Sequence, residues 1–279
     1  MPNYVWFLFL FIISLAIFII TIKKLSDRER LIQTFLYISG IAYIVDYVVL
    51  IVFNSYQYKP GLSESLWFDS TFGSIFSQGI LVPTVAMAIA GFHLNFLWII
   101  LISVGFMGIE ELFLAVDVYE HHWWKTWYTG FLLLIGFYLA KNWYQSLQKP
   151  SIFTQLVTIY MAICFYVTTL RFFMVMQFST HYYSVGWFSN PLRDHIAGNA
   201  LILFIWMIPV TIVVTVWFRW YSVLILLASE WIIDHLLIKY GYMHIAPFWH
   251  VYYFVIILLV SVLLFRFIYL QWFIKKMKN

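Results

Sequence analysis

Phe96–Val116 reads FLWIILISVGFMGIEELFLAV, and its first fourteen residues, Phe96 to Ile109, carry no charge. About 20 such residues cross a bilayer as a helix. Val5–Ile22 and Val251–Phe265 are similar apolar runs near the two ends of the 279-residue chain. Overall, 64% of residues are hydrophobic, 10% are charged and the mean hydropathy is +0.89. Soluble domains are about half apolar and about a quarter charged, so a water-soluble fold cannot hide this surface. The composition predicts an all-α fold: a polytopic transmembrane helix bundle, multi-pass in the cell membrane and with the lipid bilayer as its main partner.

Working outward from that stretch, hydropathy breaks mark about nine helices, at roughly 4–22, 31–54, 70–91, 96–116, 126–141, 151–178, 196–217, 220–239 and 249–270. The first run lacks a preceding basic region and a following small-residue cleavage pattern, so it reads as a mature helix. The longest connections, about 55–69 and 179–195, hold Pro, Gly, Ser and Asn, which is turn chemistry. No separate soluble domain is expected.

Lys and Arg placement sets orientation. With the amino terminus outside, 11 basic residues fall inside: Lys23, Lys24, Arg28, Arg30, Lys141, Lys149, Arg219, Arg266, Lys275, Lys276 and Lys278. Only 5 fall outside: Lys59, Lys125, Arg171, Arg193 and Lys239. The carboxyl terminus is then cytoplasmic. Aromatic residues make up 22% of the chain, with many Trp and Tyr at segment ends, as in an interfacial belt. The single Cys164 excludes an intrachain disulfide and a cysteine-based metal site. No basic run suggests nucleic acid, and the oligomeric state and any membrane-protein partner are not legible.

Landmarks recur along the chain. Asp46 lies 23 residues before Asp69, and Arg171 lies 23 before Asp194. Each later aspartate precedes a helix with a mid-helix proline, Pro83 or Pro209. The next helices end in acids, Glu110 and Glu111 or Glu230 and Asp234, and outer loops rich in His and aromatic residues follow. These spacings predict a single membrane domain built as a parallel internal repeat of two four-helix units, 31–147 and 151–272, plus an extra first helix at 4–22.

The candidate polar site follows from the same landmarks. Glu110 and Glu111 end a long uncharged run, where an ionisable group is costly and faces a bundle interior or wet cavity. If the helix continues, Glu110, Asp117 and His121 share one face, at i, i+7 and i+11, and Glu111 and His122 lie on the neighbouring stripe. In the second unit Glu230 and Asp234 are an i, i+4 pair beside His235, and His244 and His250 close the outer loop. Glu111 and Glu230 are expected to approach each other across the bundle. Acid and imidazole ligands suit a divalent metal, with Glu111, His122, Glu230, Asp234 and His244 as candidates, although no His-Glu-x-x-His motif occurs. The alternatives are a structural network and acid/base chemistry. Asp46 and Arg171, at matching places in the two units, are expected to form an ion pair. Asn199 and Gln78 are polar groups suited to lining a cavity.

The stretch YEHHWWKTWYTGFLLLIGFYLAKNWYQ, from Tyr119 to Gln145, resembles an uncharacterised family of small multi-pass membrane proteins of spore-forming Firmicutes. That family shows an acidic helix end, a Tyr- and Trp-rich segment and a final helix ending in basic residues. The resemblance covers Arg30 to Leu147 and implies that the chain is a duplicated form; it brings no activity. EELF is similar to the Glu-Glu motif of small carotenoid cyclases, but the proline and paired Phe of that motif are missing. Three functions are open: a structural or accessory envelope protein, a transporter or channel with a cavity between the repeats, and a metal-dependent intramembrane enzyme acting on a lipid-like substrate.

Overall fold

A computed structural model describes residues 2–275. Among these the chain forms nine helices: α1 Tyr4–Lys24, α2 Arg28–Val52, α3 Leu66–Gly91, α4 Phe96–Ala115, α5 Thr126–Ser146, α6 Ile152–Phe178, α7 Pro191–Thr215, α8 Trp220–Lys239 and α9 Val251–Ile274. All but α5 are long and apolar enough to cross a membrane by length and composition, and Lys141, Asn142 and Gln145 lower the apolar character of α5. Eight such helices make this an integral, multi-pass membrane protein with an all-α polytopic bundle. Lys276 and Lys278 lie outside the described residues.

Four strands of 3 residues each interrupt the helices: β1 Tyr56–Tyr58, β2 Tyr119–His121, β3 His181–Tyr183 and β4 Met243–Ile245. β1 pairs antiparallel with β2, in the register Gln57 to Glu120, and β3 with β4, in the register Tyr182 to His244. The hydropathy reading held these segments as loops. Alternating aromatic side chains, as in Tyr56 and Tyr58, put one face of each strand onto the helices.

Two helices begin earlier than their apolar runs. α3 starts at Leu66, where the Ser65 side chain accepts the Phe68 N–H. α7 starts at Pro191, where Asn190 accepts the N–H groups of Leu192 and Arg193. Side-chain acceptors at these positions satisfy otherwise orphaned first-turn donors, and Pro suits the first helical position. Asp69 and Asp194 therefore lie in first helical turns and do not precede the helices as expected.

The chain divides into two compact units, Met1–Ser151 and Ile152–Asn279. In the first, α2 packs on α3, α4 on α5, α3 on α5, and α1 against α3. Leu31, Met87, Ala90 and Tyr144 form a core there, flanked by Phe18, Leu25 and Phe35. In the second, α6 packs on α7 and α9 packs on α8, α7 and α6. Its core around Met174, Tyr183, Met243 and Phe254 lies beneath β3 and β4.

Both units have the order helix, strand, helix, helix, strand, helix, with α1 preceding the first. Residues 125 positions apart make like contacts. Asp69 accepts the N–H groups of Gly61, Leu62 and Ser63, and Asp194 those of Val185, Gly186, Trp187 and Phe188. Gly61 and Gly186 turn at φ +73° and +82°, a conformation open to glycine at little cost. The Tyr58 N–H is held by Ser70 Oγ and the Tyr183 N–H by His195 Nδ1. Lys141 donates to the Leu94 carbonyl, in the link after α3, and Arg266 to the Val214 carbonyl, in the last turn of α7.

Candidate functional site

α2 ends in a π-helical segment, Tyr47–Val52, and α3 contains another, Ile75–Leu81. π turns are rare and recur at functional sites. Both border one space. Val49 of the first, and Ser77, Gln78 and Leu81 of the second, line a cavity of 220 Å³ inside the first unit. Pro83 follows within the first turn after the second π segment, where its missing N–H is accommodated by the change of helical pattern.

The walls are apolar and come from all five helices of the unit: Leu10, Ile38, Ile41, Ala42, Phe106, Leu133 and Gly136 among others. Along α2 the lining runs from Ile38 to Val49, about 16 Å at 1.5 Å per residue. Val45, Ile109, Leu132, Ile135 and Leu139 line the cavity and are also exposed. The cavity thus opens onto an apolar flank of the unit.

Polar groups gather at the strand end. Asp46 is buried; Tyr56 Oη donates to its Oδ1 at 2.5 Å, and the Ser74 hydroxyl donates to its other oxygen. Glu110, also buried, meets His121 Nε2 at 2.6 Å. Gln78 Nε2 reaches Tyr58 Oη at 3.4 Å, and Trp124 Nε1 donates to Thr129 Oγ1 at 2.8 Å. The rings of Tyr56, Tyr58 and Tyr119 pack together, Tyr58 and Tyr119 at 4.9 Å. Burial, and after it the charge of Asp46 and neighbouring phenols, holds Tyr56 well above the ordinary phenol value. Tyr58 and Tyr119 are raised first by burial as well. All three remain protonated donors at neutral pH. An apolar shaft closed by two carboxylates and three phenols can hold a slender apolar molecule by its length and orient one hydrogen-bonding end.

The predicted site residues separate in the structure. α4 stops at Ala115, and Asp117 turns at φ 54°. Asp117 and His122 therefore leave the helical faces expected of them. His121 still reaches Glu110, because β2 folds back along the helix end. Asp117 and Glu120 are exposed and share Lys59, at 2.8 and 2.7 Å. The hydrogen bonds that Lys59 donates to these acids raise Lys59, and Lys59 lowers Glu120. His122 is exposed, with Nδ1 2.8 Å from the Asn54 carbonyl. Glu111 is exposed and accepts from Thr126 Oγ1 at 2.5 Å. Of the two adjacent acids, Glu110 faces the interior.

In the second unit Glu230 accepts from Arg171 Nη2 at 3.0 Å, both buried. Within their own units Asp46 takes hydroxyl donors and Arg171 takes Glu230. Glu111 and Glu230 each find a partner within their own unit. Asp234 is buried beside Glu230, whereas His235 is exposed and bonds to the Trp231 carbonyl at 2.7 Å. His244 is exposed on β4, and His250 is exposed and stacked on Tyr252 at 5.2 Å. Among the described residues no three His, Cys, Asp or Glu side chains are grouped to hold a metal ion. Sequence reasoning missed Tyr56, Tyr58, Tyr119 and Ser74 as site residues. The alternation in the YQY of β1 was the available signal for the tyrosines.

No protein-family model, curated protein or solved structure matches the chain.

Proposed function

We propose that this membrane protein binds a lipid-like molecule, a slender apolar chain ending in a hydroxyl, in the cavity of its first unit. The observation that carries this reading is the distribution of polarity within that cavity. Its walls and its opening are apolar, while its acceptors, Asp46 and Glu110, and its tyrosine donors lie at one end. Ligand sites have this character, mostly apolar with a few convergent polar groups. At 220 Å³ the space is below the ~300–1,000 Å³ of sites for drug-sized ligands, which favours a single chain over a bulky ring system. Two of the three π-helical segments among the described residues support the same reading, since both border the cavity; the third, Leu270–Ile274, ends α9 in the second unit.

A photoactivatable long-chain alcohol, added to the protein in vesicles and irradiated, tests this. Cross-links confined to cavity residues such as Ala42, Phe106 and Gly136 are expected, with unlabelled alcohol competing. Labels spread evenly over exposed helix faces, without competition, would contradict it.

Two broader readings accompany this one. Like contacts 125 residues apart support a tandem internal repeat, in which the first copy keeps the cavity and the second carries Arg171 where the first has Asp46. The Lys and Arg distribution supports a cell-membrane topology with the strand ends outside and the carboxyl terminus in the cytoplasm.

A further inference from the structure

Inside the second unit lies another buried polar centre. Arg171 of α6 is 4% exposed, sits 4.1 Å over the Phe254 ring of α9 and bonds Glu230 of α8 through Nη2, at 3.0 Å. The Tyr183 side chain also faces its guanidinium. Asp234, one turn after Glu230 and 4% exposed, has an unbonded Oδ2. Asn199 of α7 and His181 of β3 face each other at the same centre, in side chains 7% and 2% exposed.

Charge counting is decisive here. The centre holds one guanidinium and two carboxylates. The two imidazoles that face it add no charge. His195 Nδ1 accepts the Tyr183 N–H, at 2.9 Å, so that nitrogen carries no proton. Burial, then Arg171, holds His181 well below the ordinary imidazole value. Asp194 is occupied by four backbone N–H groups, and Tyr183 is a neutral phenol held up by burial. α9 contributes the uncharged Phe254. With both carboxylates ionised the centre would bury one uncompensated negative charge, which an apolar interior strongly disfavours.

We propose that Glu230 and Asp234 hold one exchangeable proton between them, carried by Asp234, with Arg171 as the fixed counter-charge of Glu230. Asp234 Oδ2 is the protonated oxygen. His181, at the strand end of the unit, is the titratable group through which the proton exchanges with the outside. The site's ligand is a proton, and its existence is independent of any ligand in the first unit.

Infrared difference spectroscopy of the full chain in vesicles tests this through the carbonyl stretch of a protonated buried carboxylic acid, with near-ultraviolet dichroism to show that each variant is folded. Asp234→Asn is expected to remove one such band from the wild-type spectrum. Glu230→Gln is expected to remove the same band, because Arg171 then has Asp234 as its only carboxylate and that group ionises. Glu230→Asp is expected to keep it. Persistence of the band in Glu230→Gln would overturn the shared proton, as would its absence from the wild type. A band that appears only when sodium is withdrawn would assign the site to a metal cation and overturn the proposal as well.

Discussion

Glu110 and His121 meet because the chain turns back, not because a helix continues. Helical periodicity put both on one face, and the structure joins them by another route, through β2. The neighbouring choice, Glu110 inward and Glu111 outward, was not legible because adjacent helical positions differ by about 100° and the sequence does not say which neighbour each faces. Burial was more legible than bonding. The depth of Glu110 followed from the uncharged run before it, but its partner depended on tertiary contacts. His181 carries the first prediction. Above the ordinary imidazole value of 6.5 the folded and unfolded chains both hold it neutral. Below that value only the unfolded chain takes up the proton, so stability falls as the pH falls, by up to about 1.4 kcal/mol per pH unit. Unfolding midpoints measured in detergent from pH 7 to pH 5 are expected to decline less in His181→Gln than in the wild type; parallel declines would deny the group this role.

At the scale of elements, apolar runs located all nine helices, because a bilayer demands length and hydrophobicity in an uninterrupted stretch. Helix starts were less legible where a polar cap and a polar first turn precede the apolar part, as at Ser65 and Asn190. The strands were not legible at all: three residues carry too little pattern, and each strand exists only because its partner is brought alongside. Close approach of strand to helix rests on two glycines. A Cβ on Gly73 would lie 2.5 Å from Tyr58 Cβ, an atom fixed by the backbone of β1. A Cβ on Gly198 would meet the Val185 Cγ2 at 2.5 Å, a methyl that can rotate, and Tyr183 Cβ only at 3.5 Å. Gly73→Ala is therefore expected to destabilise by about 1–3 kcal/mol, the usual range for overpacking, and Gly198→Ala by less. Thermal unfolding of the two variants in detergent measures the difference; equal losses would show that β1 yields as easily as the Val185 side chain.

For the whole molecule, Asp69 and Asp194 make like contacts, each aspartate gathering the amides of the preceding loop. The sequence reading sought one site across the two units. Within each unit a polar centre is found, and the opposite charges of Asp46 and Arg171 give the two centres different chemistry. One is a cavity with hydroxyl donors; the other is a closed ionic network. That divergence was invisible before the partners were known. Topology is tested with a membrane-impermeant maleimide on intact cells. Glu64→Cys, in the loop after β1, is expected to label, and Gln148→Cys, between α5 and α6, is expected to label only after permeabilisation. The reverse pattern would invert the orientation.

The proposed ligand of the first unit is a slender apolar molecule held between α2 and α5. Native mass spectrometry of the full chain with phytol, a long-chain alcohol, addresses it directly. The wild type is expected to retain a one-to-one adduct. Ala42→Phe combined with Gly136→Leu, which fills the shaft without touching Asp46 or Glu110, is expected to weaken it at least about tenfold, a loss of about 1.4 kcal/mol. Equal adducts in the wild type and the filled variant would contradict the account.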